Sequence, residues 1–123
     1  MPLSAELSME SVIHDMVNRL MKDISKLRAV DLTAFIEGLA RLQYKNIDFV
    51  MASVTHETKM KIERFHDADL PRFLWSLAQL GYPNRDGIDK EGLLSALAWE
   101  SKKRLDRWNG MELARVVWAF GVL

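Results

Sequence analysis

The chain is 123 residues long, 49% apolar and 28% charged, with 17 basic residues balanced by 17 acidic ones. That size supports one domain with one continuous core, and that composition excludes an intrinsically disordered chain. Zero formal net charge gives no global pull toward nucleic acid or an anionic membrane, so any such affinity rests on a local patch. The absence of cysteine excludes disulfides, thiolate chemistry and zinc-thiolate sites.

No apolar run approaches the roughly 20 residues of a membrane span, so no membrane partner is expected. The opening MPLSAELSMES lacks the basic region and apolar core of a secretory signal, and Glu6 and Glu10 are unlike a transit peptide. Residues 1–8 are expected to be a flexible lead-in, with Ser8 as the cap of a first helix over about 9–27. Its apolar stripe is Val12, Ile13, Met16, Val17, Leu20, Ile24 and Leu27. A second helix, about 31–43, carries Leu32, Phe35, Ile36, Leu39 and Leu42 at helical spacing. A third is expected over about 47–64, with Val50, Met51, Val54, Met60 and Ile62 apolar.

His66 to Asp69 turns the chain into a fourth helix, about 68–81, with Asp67 as its expected cap and Pro71 in its first turn, where a missing N–H costs little. Leu70, Phe73, Leu74, Leu77 and Leu80 form its stripe, and Gly81 followed by Pro83 marks its end. The polar loop 84–87 leads to a fifth helix, about 89–107, with Leu93, Leu94, Leu97, Ala98 and Leu105. Asn109, with Glu112 three residues on, resembles a capping box for a sixth helix, about 110–123, with Leu113, Val116, Val117, Phe120 and Leu123.

These helices repeat in pairs. Leu70 lies 38 positions after Leu32, and Leu113 lies 43 after Leu70. The other helix of each pair aligns at the same offsets: Val12, Val50 and Leu93; Met16, Val54 and Leu97; Ile24, Ile62 and Leu105; Leu27, Phe65 and Trp108. The extra five residues fall in the 84–87 loop region, where insertion is cheapest. Two helices per unit of about 40 residues is the signature of an α-solenoid. The expected fold is therefore all-α: a right-handed α-solenoid of stacked helical hairpins, about three repeats and six helices in one domain over 9–123, with a half-repeat at either end. A generic helical bundle is the alternative, but bundle helices rarely share inter-helix spacing.

The stretch from Leu70 to Tyr82, LPRFLWSLAQLGY, together with Met111 to Gly121, MELARVVWAFG, resembles the octotricopeptide repeats of algal organelles and the similar heptatricopeptide repeats of apicomplexan mitochondria. The shared phrase is a leucine-alanine pair, a tryptophan, alanine-leucine and leucine-glycine, with Trp75 and Trp118 at the tryptophan position. The first copy departs from it: Glu37 stands for the tryptophan and Gln43 for the terminal glycine. The resemblance implies an RNA-associated protein of a mitochondrion or another organelle, acting on transcripts or built into a ribosome.

Candidate contact residues follow from the repeat. Arg72 and Arg115 share one position and suit the groove where solenoids bind; a solvated helix face accounts for them equally. Lys22, Lys26 and Arg28, then Lys59, Lys61 and Arg64, then Lys102, Lys103, Arg104 and Arg107, crowd the ends of three helices. Such cations favour helix C-termini on their own account, or they form a phosphate-tracking ridge. Trp99 lies off its helix's stripe and is a further candidate for RNA contact, whereas Trp75 and Trp118 suit packing between repeats or base stacking. Val116, Val117, Phe120 and Leu123 lie on the last stripe and are candidates for a protein interface at the C-terminal end. His66, Asp67 and Asp69 can be drawn as a metal site, but capping accounts for the aspartates. No phosphate loop, nucleophile elbow or carboxylate pair is present. The expectation is a non-catalytic RNA-associated module without cofactor or small-molecule substrate; the alternative is a protein scaffold without RNA contact.

Overall fold

The computed structural model describes residues 8–82 and 92–123. Among them the protein is all-helical, with six α-helices and no strand: α1 (Met9–Lys22), α2 (Ala29–Leu42), α3 (Ile47–Lys61), α4 (Asp69–Leu80), α5 (Leu93–Lys103) and α6 (Gly110–Val122). The lead-in before Ser8, the 84–87 loop and the expected start of the fifth helix near Asp89 lie outside the described residues.

Helix α4 packs between α2 and α6, while α3 packs on α2 and on α5. The core is the set of side chains these surfaces share. Leu32, Ile36, Val50, Val54, Leu70, Phe73, Leu74, Leu77, Leu93 and Leu97 are all fully buried. Small residues, Ser76 on α4 with Ala119 at the matching position on α6, and Ala78 on α4, are buried too. They let neighbouring helices approach closely, since side-chain size at the crossing sets the interaxial distance.

Expected helix ends are corrected at three matching places. α1, α3 and α5 each stop early and tighten into a 3₁₀ turn, at Ile24–Lys26, Ile62–Arg64 and Leu105–Arg107. The apolar spacing runs on through these turns, so periodicity alone reads them as more α-helix. Leu27, Phe65 and Trp108 then adopt extended backbone and lead into the next helix. The first helix's stripe is also only partly covered: Val17 is buried, but Val12 and Met16 are exposed.

Two expected caps form. Ser8 Oγ accepts the Ser11 N–H at 3.1 Å, and Asn109 and Glu112 close a reciprocal box at 2.8 and 3.0 Å. Asp67 does not cap α4. Its carboxylate accepts from Arg104 and Arg107 instead, and Ala68 holds the cap position without a side-chain bond. Gly81 ends α4 as expected, at φ +79°, with Tyr82 N–H donating to the Leu77 carbonyl at 3.1 Å. Gln43 makes the matching turn after α2 at φ +52°, with Tyr44 N–H donating to Leu39 at 3.0 Å. A Cβ at Gly81 meets open space, so Gly81→Ala isolates the backbone term. Thermal unfolding should show a loss of about 1 kcal/mol, the cost of left-handed backbone for a residue with a Cβ.

Candidate nucleic-acid interface

Arg72 stands three residues after Asp69 on α4, and Glu37 lies on the neighbouring α2. Side chains three apart on a helix share a face, so Arg72 reaches both carboxylates. Its Nε donates to Glu37 at 2.9 Å and its Nη1 to Asp69 at 3.2 Å. Arg41, one turn after Glu37, pairs with it from the other side at 3.4 Å. The Arg72 hydrogen bond holds the Glu37 carboxyl below its ordinary value and in turn raises the Arg72 guanidinium. Arg115, in the matching position on α6, makes no ion pair among the described residues; its guanidinium lies 6.0 Å from the centre of the Trp75 ring.

Trp75 and Trp118 occupy matching positions on adjacent helices, so the packing of α4 on α6 brings their rings together. The centroids are 4.2 Å apart and the planes are tilted by 33°. Trp75 is half-buried and Trp118 exposed. A groove of about 540 Å³ is lined by Glu37, Arg41, Arg72, Trp75, Ser76, Gln79 and Arg115. The groove thus gathers three guanidiniums around the Trp75 ring, two of them paired with Glu37. Such a surface can stack a planar base and hold a phosphate at the same time.

The other expected cations divide. Lys61 and Arg104 are not available to RNA, which corrects their place in the ridge. Lys61 donates to the carbonyls of Ser25 at 3.0 Å and Leu27 at 2.7 Å, and to Glu57 at 2.8 Å. Arg104 donates to Glu100 at 2.9 and 3.1 Å, to Ile62 at 3.2 Å and to the Phe65 carbonyl. Both cations grip the carbonyls that the preceding 3₁₀ turn releases. Burial pushes the Glu100 carboxyl up, but the bonds from Arg104 and Lys103 outweigh it and hold the group below its usual value. The signal was present in the chain: Glu57-x3-Lys61 and Glu100-x3-Arg104 stand 43 residues apart, and an acid four residues before a base on a helix pairs with it.

Lys59, Arg64, Lys102, Lys103 and Arg107 are exposed. Lys103 pairs with Glu100 and Arg107 with Asp67, each at 3.3 Å, which neutralises part of the ridge. Trp99 is 63% exposed with the Lys102 ammonium 5.6 Å from its ring centre, but it stands on α5, and the groove is lined from α2, α4 and α6. Of the expected protein-interface residues, Val116 is buried in the core, Phe120 and Leu123 are half-buried against it, and Val117 is 72% exposed. Among the described residues, no group of three metal-ligating side chains gathers, and no helix is long and apolar enough to cross a membrane. No family model, no curated protein and no solved structure matches this chain.

Proposed function

We propose that the protein is a non-catalytic α-solenoid module of stacked helical hairpins that binds single-stranded RNA along the face shared by α2, α4 and α6. The reading extends to a structural subunit of an organellar ribonucleoprotein, such as a mitochondrial ribosome; that part rests on the repeat resemblance. Stacking is supported by the packing of α4 between α2 and α6 and of α3 against α5. The observation that carries the RNA reading is the groove where Trp75, packed against Trp118, lies among Arg41, Arg72 and Arg115.

Titration with single-stranded RNA over a salt series, followed by tryptophan fluorescence, tests it. Binding should weaken as salt rises, with a log–log slope of about −0.7 per phosphate neutralised. Arg115→Ala should reduce that slope by roughly one such step without shifting the melting temperature. Trp118→Ala should weaken binding by about 1–3 kcal/mol, one stacked base. Absence of any binding at low salt would remove the RNA reading. The exposed Val117 favours the second reading, a protein scaffold of an organellar complex without RNA contact.

A further inference from the structure

Two junctions between repeats are built from matching residues, and one of them carries its own anion. Between the second and third repeats, Asp67 Oδ1 accepts from Arg104 at 3.4 Å and from Arg107 at 3.3 Å. A carboxylate thus sits between the two guanidiniums that meet there. Between the first and second repeats the matching places fall to other residues: Lys61 for Arg104 and Arg64 for Arg107, each 43 positions earlier, and Ala29 for Asp67, 38 positions earlier. The cations are kept and the carboxylate is missing.

A cavity of about 390 Å³ lies at that first junction, lined by Lys26, Arg28, Ala29, Lys61, Arg64 and His66 among others, and no carboxylate lines it. Lys26 and Arg28 have carboxylate partners outside the lining, Asp23 at 3.7 Å and Asp31 at 3.2 Å, and both side chains stay exposed. Lys61 has its three donors engaged by the Ser25 and Leu27 carbonyls and by Glu57. Arg64 and His66 are exposed, and neither side chain makes an ion pair or hydrogen bond among the described residues. Arg64 is therefore the uncompensated charge of the cavity, as Arg107 would be without Asp67.

The space and the donors together favour one kind of anion. Lys26 and Arg28 line the cavity from the first repeat, and Arg64 and His66 from the second. A carboxylate has two oxygens in one plane, whereas a phosphate group presents several oxygens in a tetrahedron and can accept from both sides. The guanidinium fork of Arg64 matches two phosphate oxygens at once.

We infer that the cavity between the 3₁₀ turns at Ile24–Lys26 and Ile62–Arg64 is a phosphate site, in which a bound phosphate group takes the place that Asp67 fills at the next junction. Arg64 and His66 supply its bonds from one side and Lys26 and Arg28 from the other, while Lys61 adds charge from below its fixed bonds. The cavity shares no lining residue with the Trp75 groove, so the site stands or falls apart from the RNA reading.

Inorganic phosphate titrated into the full chain at low ionic strength, followed by amide chemical shifts, tests it. Saturable shifts should centre on Ala29, Val30 and His66. Arg64→Ala should weaken phosphate binding roughly tenfold or more, the scale of charge-assisted hydrogen bonds. Lys45→Ala, which removes an exposed cation beyond the other end of α2, should leave it unchanged. Ala29→Asp copies the Asp67 carboxylate into the first junction and should abolish saturable binding. Acetate should shift the same amides only weakly. The proposal is overturned by no saturable shift, by equal losses in Arg64→Ala and Lys45→Ala, or by acetate binding as tightly as phosphate. A folded Ala29→Asp that binds phosphate like wild type overturns it too; should that variant fail to fold, Arg64→Ala decides alone. A second arm identifies the source of the phosphate. Arg64→Ala weakens the RNA titration when the group belongs to an RNA backbone and leaves it unchanged when the site takes free phosphate.

Discussion

Arg104→Ala should cost the fold about 3–5 kcal/mol, the usual penalty for removing one partner of a buried ion pair. For a chain of this size that is a fall of roughly 10–20 °C in melting temperature. The side chain is 4% exposed, and its guanidinium divides its donors between Glu100 on its own helix and the carbonyls of Ile62, Glu63 and Phe65 on the preceding one. Truncation leaves a desolvated carboxylate and unpaired carbonyls, and neither can reach water without opening the contact between α5 and the 3₁₀ turn at Ile62–Arg64. Arg104→Lys should recover much of the loss, because Lys61 performs the same task at the matching position one repeat earlier. Replacing Arg104 and Glu100 together with methionine should be milder than Arg104→Ala, since no buried charge is left alone. A loss below about 1 kcal/mol for Arg104→Ala would mean that the clasp holds nothing together.

The same pair sets an acid limb. Glu100 is held below its ordinary value of 4.5 in the folded protein, so the folded state favours its ionised form. That contribution is complete above the ordinary value and is lost as pH falls through the lower folded value. The stability difference between wild type and Glu100→Gln should therefore be widest near neutral pH and shrink in acid. Melting curves for the two proteins at both ends of that range measure it.

Phe73→Ala should cost a further amount of the same order, about 3–5 kcal/mol. Phe73 is fully buried on the central helix, and its ring meets the Phe65 ring edge-on at 5.2 Å and 74°. Phe65 is the residue whose carbonyl Arg104 grips, so the two large effects meet at one joint. Removing the Phe73 ring opens a cavity between α4 and that joint, and the surrounding backbone is held too firmly to collapse into it. Phe35 occupies the matching position on α2 and retains some exposure, so Phe35→Ala should cost less. Urea unfolding with an unchanged m-value would attribute both losses to the native state. Equal losses at Phe35 and Phe73 would show that the middle of the array is no more tightly packed than its flank. Because the two sites are neighbours through Phe65, the Phe73 and Arg104 losses should not add.

What the chain alone determined is which residues are greasy and at what interval. Helical spacing placed six helices, though not the ends of α1, α3 and α5, and Leu32, Ile36, Leu70, Leu74 and Leu77 were assigned to the core from spacing and are fully buried. Local signals did equally well where the chemistry is local: Ser8, Asn109 with Glu112, and Gly81 act within a few residues of themselves. Tertiary structure alone decided what each cation does. Lys61 and Arg104 share a helix end with their exposed neighbours Lys59 and Lys103, and locally only the acid four residues before each sets them apart. They differ because a 3₁₀ turn on a different helix aims bare carbonyls at them. Asp67 was lost as a helix cap for the same reason, since Arg104 and Arg107 reach it across some forty residues. The joining of Trp75 to Trp118, and of Arg72 to Glu37, likewise exists only once α2, α4 and α6 lie side by side. Burial follows from a pattern repeated along one strand of sequence, but a hydrogen bond is made or lost by the few ångströms between its partners, and that separation is a property of the packed helices.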